Sequence, residues 1–155
     1  MFSESKKGVL MMKRKILVAY DGSDLSKEAL QEAKFQARGI PETEVYVVSV
    51  VTQAGPSTNT AVARSIQWEL AEKIKPDMEV IEEDFKQEDI TINTDIIIDA
   101  VNRNAGTRIC NHADAYDIDL IIVGSRGLGG VKKMILGSVS NRVVQESDCP
   151  VLVIK

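Results

Sequence analysis

Short apolar runs alternate with amphipathic stretches along most of the chain. Residues 16–20 are apolar and end at Asp21-Gly22-Ser23, a pattern that predicts a buried strand, a turn and a helix start. The helix reads to about Arg38. Ser23 or Asp24 caps it, Ala29, Leu30, Ala33 and Ala37 fall on one face, and Gly39 with Pro41 stops it. Residues 45–51 form a second apolar, β-branched run almost without alternation, as expected for a strand covered on both faces. The stretch 52–60 is rich in Gly, Pro, Ser, Thr and Asn and reads as a loop long enough to be mobile or ligand-responsive. Residues 65–75 predict a helix with Ile66, Leu70 and Ile74 inward. Pro76 either breaks it or opens a further turn carrying Met78, Ile81 and Phe85.

Farther on, Ile90, Ile92, Ile96 and Ile98 alternate through 90–100, the mark of a third strand near an edge. A short helix is expected over 107–116 with Ile109, Cys110 and Ala113 inward, then a fourth strand over 120–123. After a glycine-rich loop come a helix over 138–147 and a last strand, 151–154, that follows Pro150. The order βαβαβαβαβ calls for one α/β domain, an open five-stranded parallel sheet with helices on both faces. Residues 1–12 show no clear pattern and are read as a flexible arm ahead of a domain over 13–155.

Composition changes this picture little. The chain has 155 residues, 44% hydrophobic and 27% charged, enough to bury about 70% of its unfolded surface around one core. Nineteen Lys and Arg against 23 Asp and Glu leave a net charge of -4, so no overall field draws it to nucleic acid or an anionic membrane. An anionic ligand needs a local site. Two cysteines and one histidine are too few for a disulfide framework or a zinc cluster, which points to a reducing cytoplasm. No apolar run approaches the roughly 20 residues of a membrane-spanning helix.

The candidate chemistry lies in 124–138, where Gly124, Gly127, Gly129, Gly130 and Gly137 stand between a strand and a helix. Such a backbone can approach an anion closely and aim several N–H groups at phosphate oxygens, helped by the partial positive charge of the helix start. Arg126, Lys132 and Lys133 add local cations. The plain alternative is a glycine-rich turn with incidental lysines. Two known phosphate fingerprints do not fit. The residue after Gly129 is Gly130 rather than the Walker lysine, and Lys132 stands where G-x-G-x-x-G from Gly127 needs its last glycine.

Gly124, two residues, Gly127, nine residues, then Gly137-Ser138 resembles the nucleotide-binding signature of the universal stress protein family. Ile16-Leu-Val-Ala-Tyr-Asp-Gly-Ser23 is similar to that family's first strand and turn, and Ser147-Asp-Cys-Pro-Val-Leu-Val-Ile-Lys155 to its ending. The three blocks span about 140 residues, while 52–89 resembles nothing in particular. The resemblance implies a Rossmann-like sheet of the adenine nucleotide alpha hydrolase type, in order 3-2-1-4-5. The carboxyl ends of strands one and four are then neighbours, and ligands sit in that crevice.

Carried over by position, the resemblance puts backbone at Ala19 and Val50 against adenine and Asp21 near the base and ribose. It wraps 124–130, with Gly124, Arg126, Gly127, Gly129 and Gly130, around ribose and phosphates. Ser138, Val139 and Ser140 then offer N–H and hydroxyl donors after Gly137, with Ser138 as an N-cap. Spacing alone gives Asp21 an equal claim to be an Asx-turn or cap residue. Arg103, in a loop where the family often has a Gly-Asn-Pro-like turn, either reaches a phosphate or points to water. Ser49 stands where the family often has His.

His112 reads as a surface or half-buried structural residue, Cys110 and Cys149 as small buried residues, and Trp68 as a packing residue, with a cap over the site or a dimer contact as the alternative. The resemblance therefore implies an ATP-binding, or other adenine-nucleotide-binding, regulator in stress response, with Mg2+ accompanying the phosphates. A slow ATP hydrolase and a nucleotide-independent dimeric scaffold are the alternatives. The short apolar strand 151–154 at a sheet edge invites pairing with its twin, and the resemblance implies a homodimer there.

Overall fold

A computed structural model describes residues 13–53, 59–101, 104–128 and 136–155. The arm 1–12, the centre of the 52–60 loop, Arg103, Gly129, Gly130, Lys132 and Lys133 lie outside the described residues. The elements follow in the order β1 (Arg14–Ala19), α1 (Asp24–Gly39), β2 (Thr43–Thr52), α2 (Thr60–Lys86), β3 (Thr91–Asp99), α3 (Ala105–Ala115), β4 (Leu120–Gly124), α4 (Ser138–Glu146) and β5 (Val151–Ile154). The five strands form one parallel sheet in the order β3-β2-β1-β4-β5.

The unbroken apolar runs are explained by burial on both faces, since successive side chains of a strand point to opposite sides. Ile16, Val18, Val45, Val47 and Ile122 pack under α1 and α2, against Ala29, Leu30, Ala33, Met78, Ile81 and Phe85. Leu17, Tyr46, Val48 and Ile121 pack under α3 and α4, against Ile109, Cys110, Ala113 and Val143. Both edge strands are less covered: β3 alternates exposed and half-buried positions, and β5 is half-buried throughout.

The largest departure from the sequence pattern is α2. It is a single helix of 27 residues with Pro76 inside it, and its buried line runs Ala63, Gln67, Ala71, Met78, Ile81, Phe85. Ile66 and Leu70, expected inward, are exposed, and Ile74 is half-buried. Large side chains in the second half fix the rotation of the helix, and its period carries that line back through the small Ala71 and Ala63. Gln67 is buried between them because its amide donates to the backbone carbonyls of Asp99 at 2.9 Å and Val51 at 3.4 Å. Pro76 is tolerated on the exposed side.

Trp68, expected to pack, is 59% exposed, with Lys75 Nζ 5.6 Å from its ring centroid. His112 is buried rather than superficial. Its ring stacks on Tyr116 at 4.5 Å and its Nδ1 lies 3.7 Å from Asp95 Oδ2. Cys110 is buried, which pushes its thiol up to about 11, while Cys149 is half-buried. Among the described residues no helix is long and apolar enough to cross a membrane.

Candidate functional site

β1 feeds β2 on one side and borders β4 on the other, so the chain diverges at their carboxyl ends and leaves a crevice there. A cleft of about 450 Å³ occupies that place. All ten described candidates, Ala19, Asp21, Val50, Gly124, Arg126, Gly127, Gly137, Ser138, Val139 and Ser140, line it. Tyr20, Ser23, Ser26, Val48, Thr52, Ala105, Ile109, Val123 and Leu128 line it as well. One signal could have found Val48: it lies two residues before Val50 and therefore shares its face of the sheet.

On the β1 side, Gly22 turns the chain with a φ of 83°, a conformation that favours glycine. Asp21 Oδ1 accepts from the Ser23 N–H at 3.0 Å, and the Ser23 hydroxyl caps α1 by accepting from the Ser26 N–H at 3.2 Å. Asp21 is thus an Asx-turn residue that also lines the cleft. The second carboxylate oxygen faces the glycine loop: a Cβ on Gly127 would sit 2.5 Å from Asp21 Oδ2. Gly124 is closed in more rigidly, since a Cβ there would meet Leu25 Cβ at 2.8 Å and the Arg126 carbonyl at 3.3 Å.

Both ends of the loop are pinned together. The Ser125 N–H donates to the Ile154 carbonyl at 2.7 Å, and the Ser125 carbonyl accepts from the Gly137 N–H at 2.6 Å and from Ser140 Oγ at 2.9 Å. Ser140 Oγ also lies 3.1 Å from the Gly137 carbonyl. The Ser140 hydroxyl, expected as a ligand donor, is therefore a buried clasp; what it can offer a ligand is its N–H. The expected N-cap shifts too. Gly137 occupies that position, without a side-chain cap, and Ser138 is the first helical residue. Glycine there lets the chain pass close to Ser125, where a Cβ would lie 3.3 Å from its carbonyl.

The N–H groups of Ser138, Val139 and Ser140 consequently have neither an intrahelical acceptor nor a side-chain cap, and the first turn holds no acidic residue. Asn104 braces them from α3: its Oδ1 accepts from the Gly106 N–H at 2.8 Å, and its Nδ2 donates to the Ser138 carbonyl at 3.2 Å. Ala19, Val48, Val50, Ile109 and Val123 give the cleft an apolar lining. Tyr20 lines the cleft too, with its hydroxyl donating to Asp77 on α2 at 3.0 Å. Burial and that carboxylate push its pKa up to about 12, so it stays a donor.

Among the described lining residues Arg126 is the one cation and Asp21 the one carboxylate. No group of three or more His, Cys, Asp or Glu able to hold a metal occurs among the described residues. The arrangement suits a ligand with a flat apolar part and an anionic part.

Comparison with known proteins gives the same picture of the fold. The profile of the universal stress protein family matches residues 12–155. The chain is 34% identical over 149 residues to universal stress protein YxiE of Bacillus subtilis, covering 93% of this chain and all of that one. The solved structure of the hypothetical protein MJ0577 of Methanocaldococcus jannaschii superposes with a TM-score of 0.82 at 27% identity, over 94% of this chain and 97% of that one. The universal stress protein of Archaeoglobus fulgidus, solved in complex with dAMP, superposes with a TM-score of 0.60 over 94% of this chain and 99% of that one. At 22% identity that last likeness is one of fold.

Proposed function

The chain belongs to the universal stress protein family, and from that premise we propose that it binds an adenine nucleotide, ATP first among them, as a nucleotide-dependent regulator in stress response. The observation that carries this reading is the uncapped, acid-free start of α4 lining one cleft together with apolar ends of the sheet. The N–H groups of Ser138, Val139 and Ser140, with Arg126, would take phosphate oxygens. Ala19, Val48, Val50 and Ile109 would take the base, and Asp21 the ribose or base edge. The Gly127 cradle, which a side chain would fill, supports close approach of a ligand to the loop. That a neighbour of the same fold was solved with dAMP supports the choice of an adenine nucleotide.

Magnesium would arrive with the phosphates, since no preformed carboxylate cage stands among the described residues. The reading is one of binding rather than turnover, because among the described lining residues Asp21 is the one carboxylate and no second acid or base stands with it. Strand β5 is a short edge, and we place a homodimer contact along it, in a protein acting in the cytoplasm.

The test is mass spectrometry of the nucleotide released when freshly purified protein is denatured, with Gly127→Val as the comparison. Wild type should yield an adenine nucleotide, and the variant, whose side chain meets the Asp21 carboxylate, should yield none while remaining folded. An empty wild type that also gives no heat on titration with magnesium and ATP would overturn the proposal.

A further inference from the structure

Helix α2 carries a second seam that its own fold does not use. Val62, Ile66, Glu69, Lys73, Pro76 and Val80 follow one another at intervals of four, three, four, three and four residues, the spacing of a coiled-coil stripe. Every one of them is exposed, Val62 by 51%, Ile66 by 50% and Val80 by 69%. The buried line of the helix lies on another face, through Gln67, Ala71 and Met78. We propose that this seam is a self-association surface on which α2 pairs antiparallel with α2 of a second copy of the chain.

The charge pattern selects both the partner and its direction. About a two-fold axis level with Ala71, Val62 faces the partner's Val80, Ile66 the partner's Pro76 and Glu69 the partner's Lys73. The symmetric half repeats each pair. The layers then read apolar, apolar, acid on base, base on acid, apolar, apolar, so the stripe is its own complement under a two-fold rotation. A parallel pair would instead set glutamate on glutamate and lysine on lysine, which a shared apolar seam cannot tolerate. The central polar layers would fix the register, as single polar layers do in coiled coils.

The helix itself supports an external partner for these two charges. Glu72 with Lys75 and Glu82 with Lys86 form ion pairs along α2, at 2.5 and 3.1 Å. Glu69 and Lys73 have the same four-residue spacing as the second of these, yet neither has an ion pair among the described residues. This surface is separate from the β5 edge, and the inference does not depend on nucleotide binding.

The experiment is sedimentation of the full chain at micromolar concentration, for wild type, Glu69→Lys, Lys73→Glu and the double exchange. Each single exchange puts like charges across the seam and should halve the assembly mass, from tetramer to dimer if β5 also pairs and from dimer to monomer if it does not. The double exchange should restore the wild-type mass, and so should an equimolar mixture of the two single variants, whose seams are complementary. Far-UV circular dichroism should be unchanged, since both positions are exposed. A monomeric wild type, single variants that keep the wild-type mass, or a double exchange and a mixture that both fail to restore it would overturn the proposal.

Discussion

The two ends of the sheet treat their polar groups in opposite ways. At the amino ends of the strands, where α1 and α2 finish, charges are consumed within the fold. Buried Lys34 lies 2.5 Å from Asp84 and 3.1 Å from Glu88, Arg38 lies 2.5 Å from Glu88, and the Lys34 ammonium sits 5.1 Å from the centre of the Phe85 ring. Arg38 first, then Lys34, holds the Glu88 carboxyl below its ordinary range. At the carboxyl ends, α4 starts without a side-chain cap and its N–H groups face a cleft. A parallel sheet imposes the geometry, because the helices return antiparallel to the strands and begin at this end. The difference teaches where to look for stability and where for binding: matched ion pairs mark the closed end, and unmatched donors mark the open one.

The strongest way to break that separation is Gly124→Val, because Gly124 touches both roles. Its new side chain meets the root of Leu25 and a backbone carbonyl, neither of which can swing away. We expect a loss of about 3 kcal/mol in urea unfolding together with loss of bound nucleotide. Gly127→Val meets only the tip of a flexible carboxylate, so the contrast between the two glycines separates fold from site.

Next comes Lys34→Ala at the closed end. Removing a lysine that is 3% exposed strips its packed stem and its ion pairs, and should cost about 2 kcal/mol in the same unfolding measurement. The nucleotide recovered per folded chain should stay at the wild-type level. A parallel loss of nucleotide would mean that the two ends are coupled.

The smallest effect concerns His112, on the lower part of α3. Burial holds its imidazole below the ordinary 6.5, against the opposing pull of Asp95. The unfolded chain therefore takes up a proton more readily as pH falls through 6.5, and folded stability is full above that value and declines below it. His112→Gln should flatten the pH dependence of the urea midpoint in that window, leaving the carboxylate-driven loss at lower pH.

Much of this was legible locally. The Ser23 cap, the inward set of α3 and the bounds of β5 follow from residue type and spacing, because each is decided within a turn or two of chain. The face of α2 was not legible, since Ile66 and Leu70 are as apolar as the residues that are buried. Rotation was decided by how Phe85 and Met78 fit the sheet and by two backbone carbonyls that accept from Gln67. In the cleft, the glycine spacing marked the loop. Nothing in the sequence told that the Ser140 hydroxyl would be tied to Ser125, or that Gly137 rather than Ser138 would open the helix.

By itself the sequence determined the alternation of strands and helices and the glycine-rich segment able to approach an anion, both set by short-range sterics and by the period of apolar positions. Only the tertiary structure decided that Asp21 and Gly127, far apart along the chain, meet at one crevice and that the start of α4 lines the same cleft as the apolar ends of β1 and β2. Strand order and helix rotation depend on the packing of whole faces, a sum over contacts that no local pattern contains.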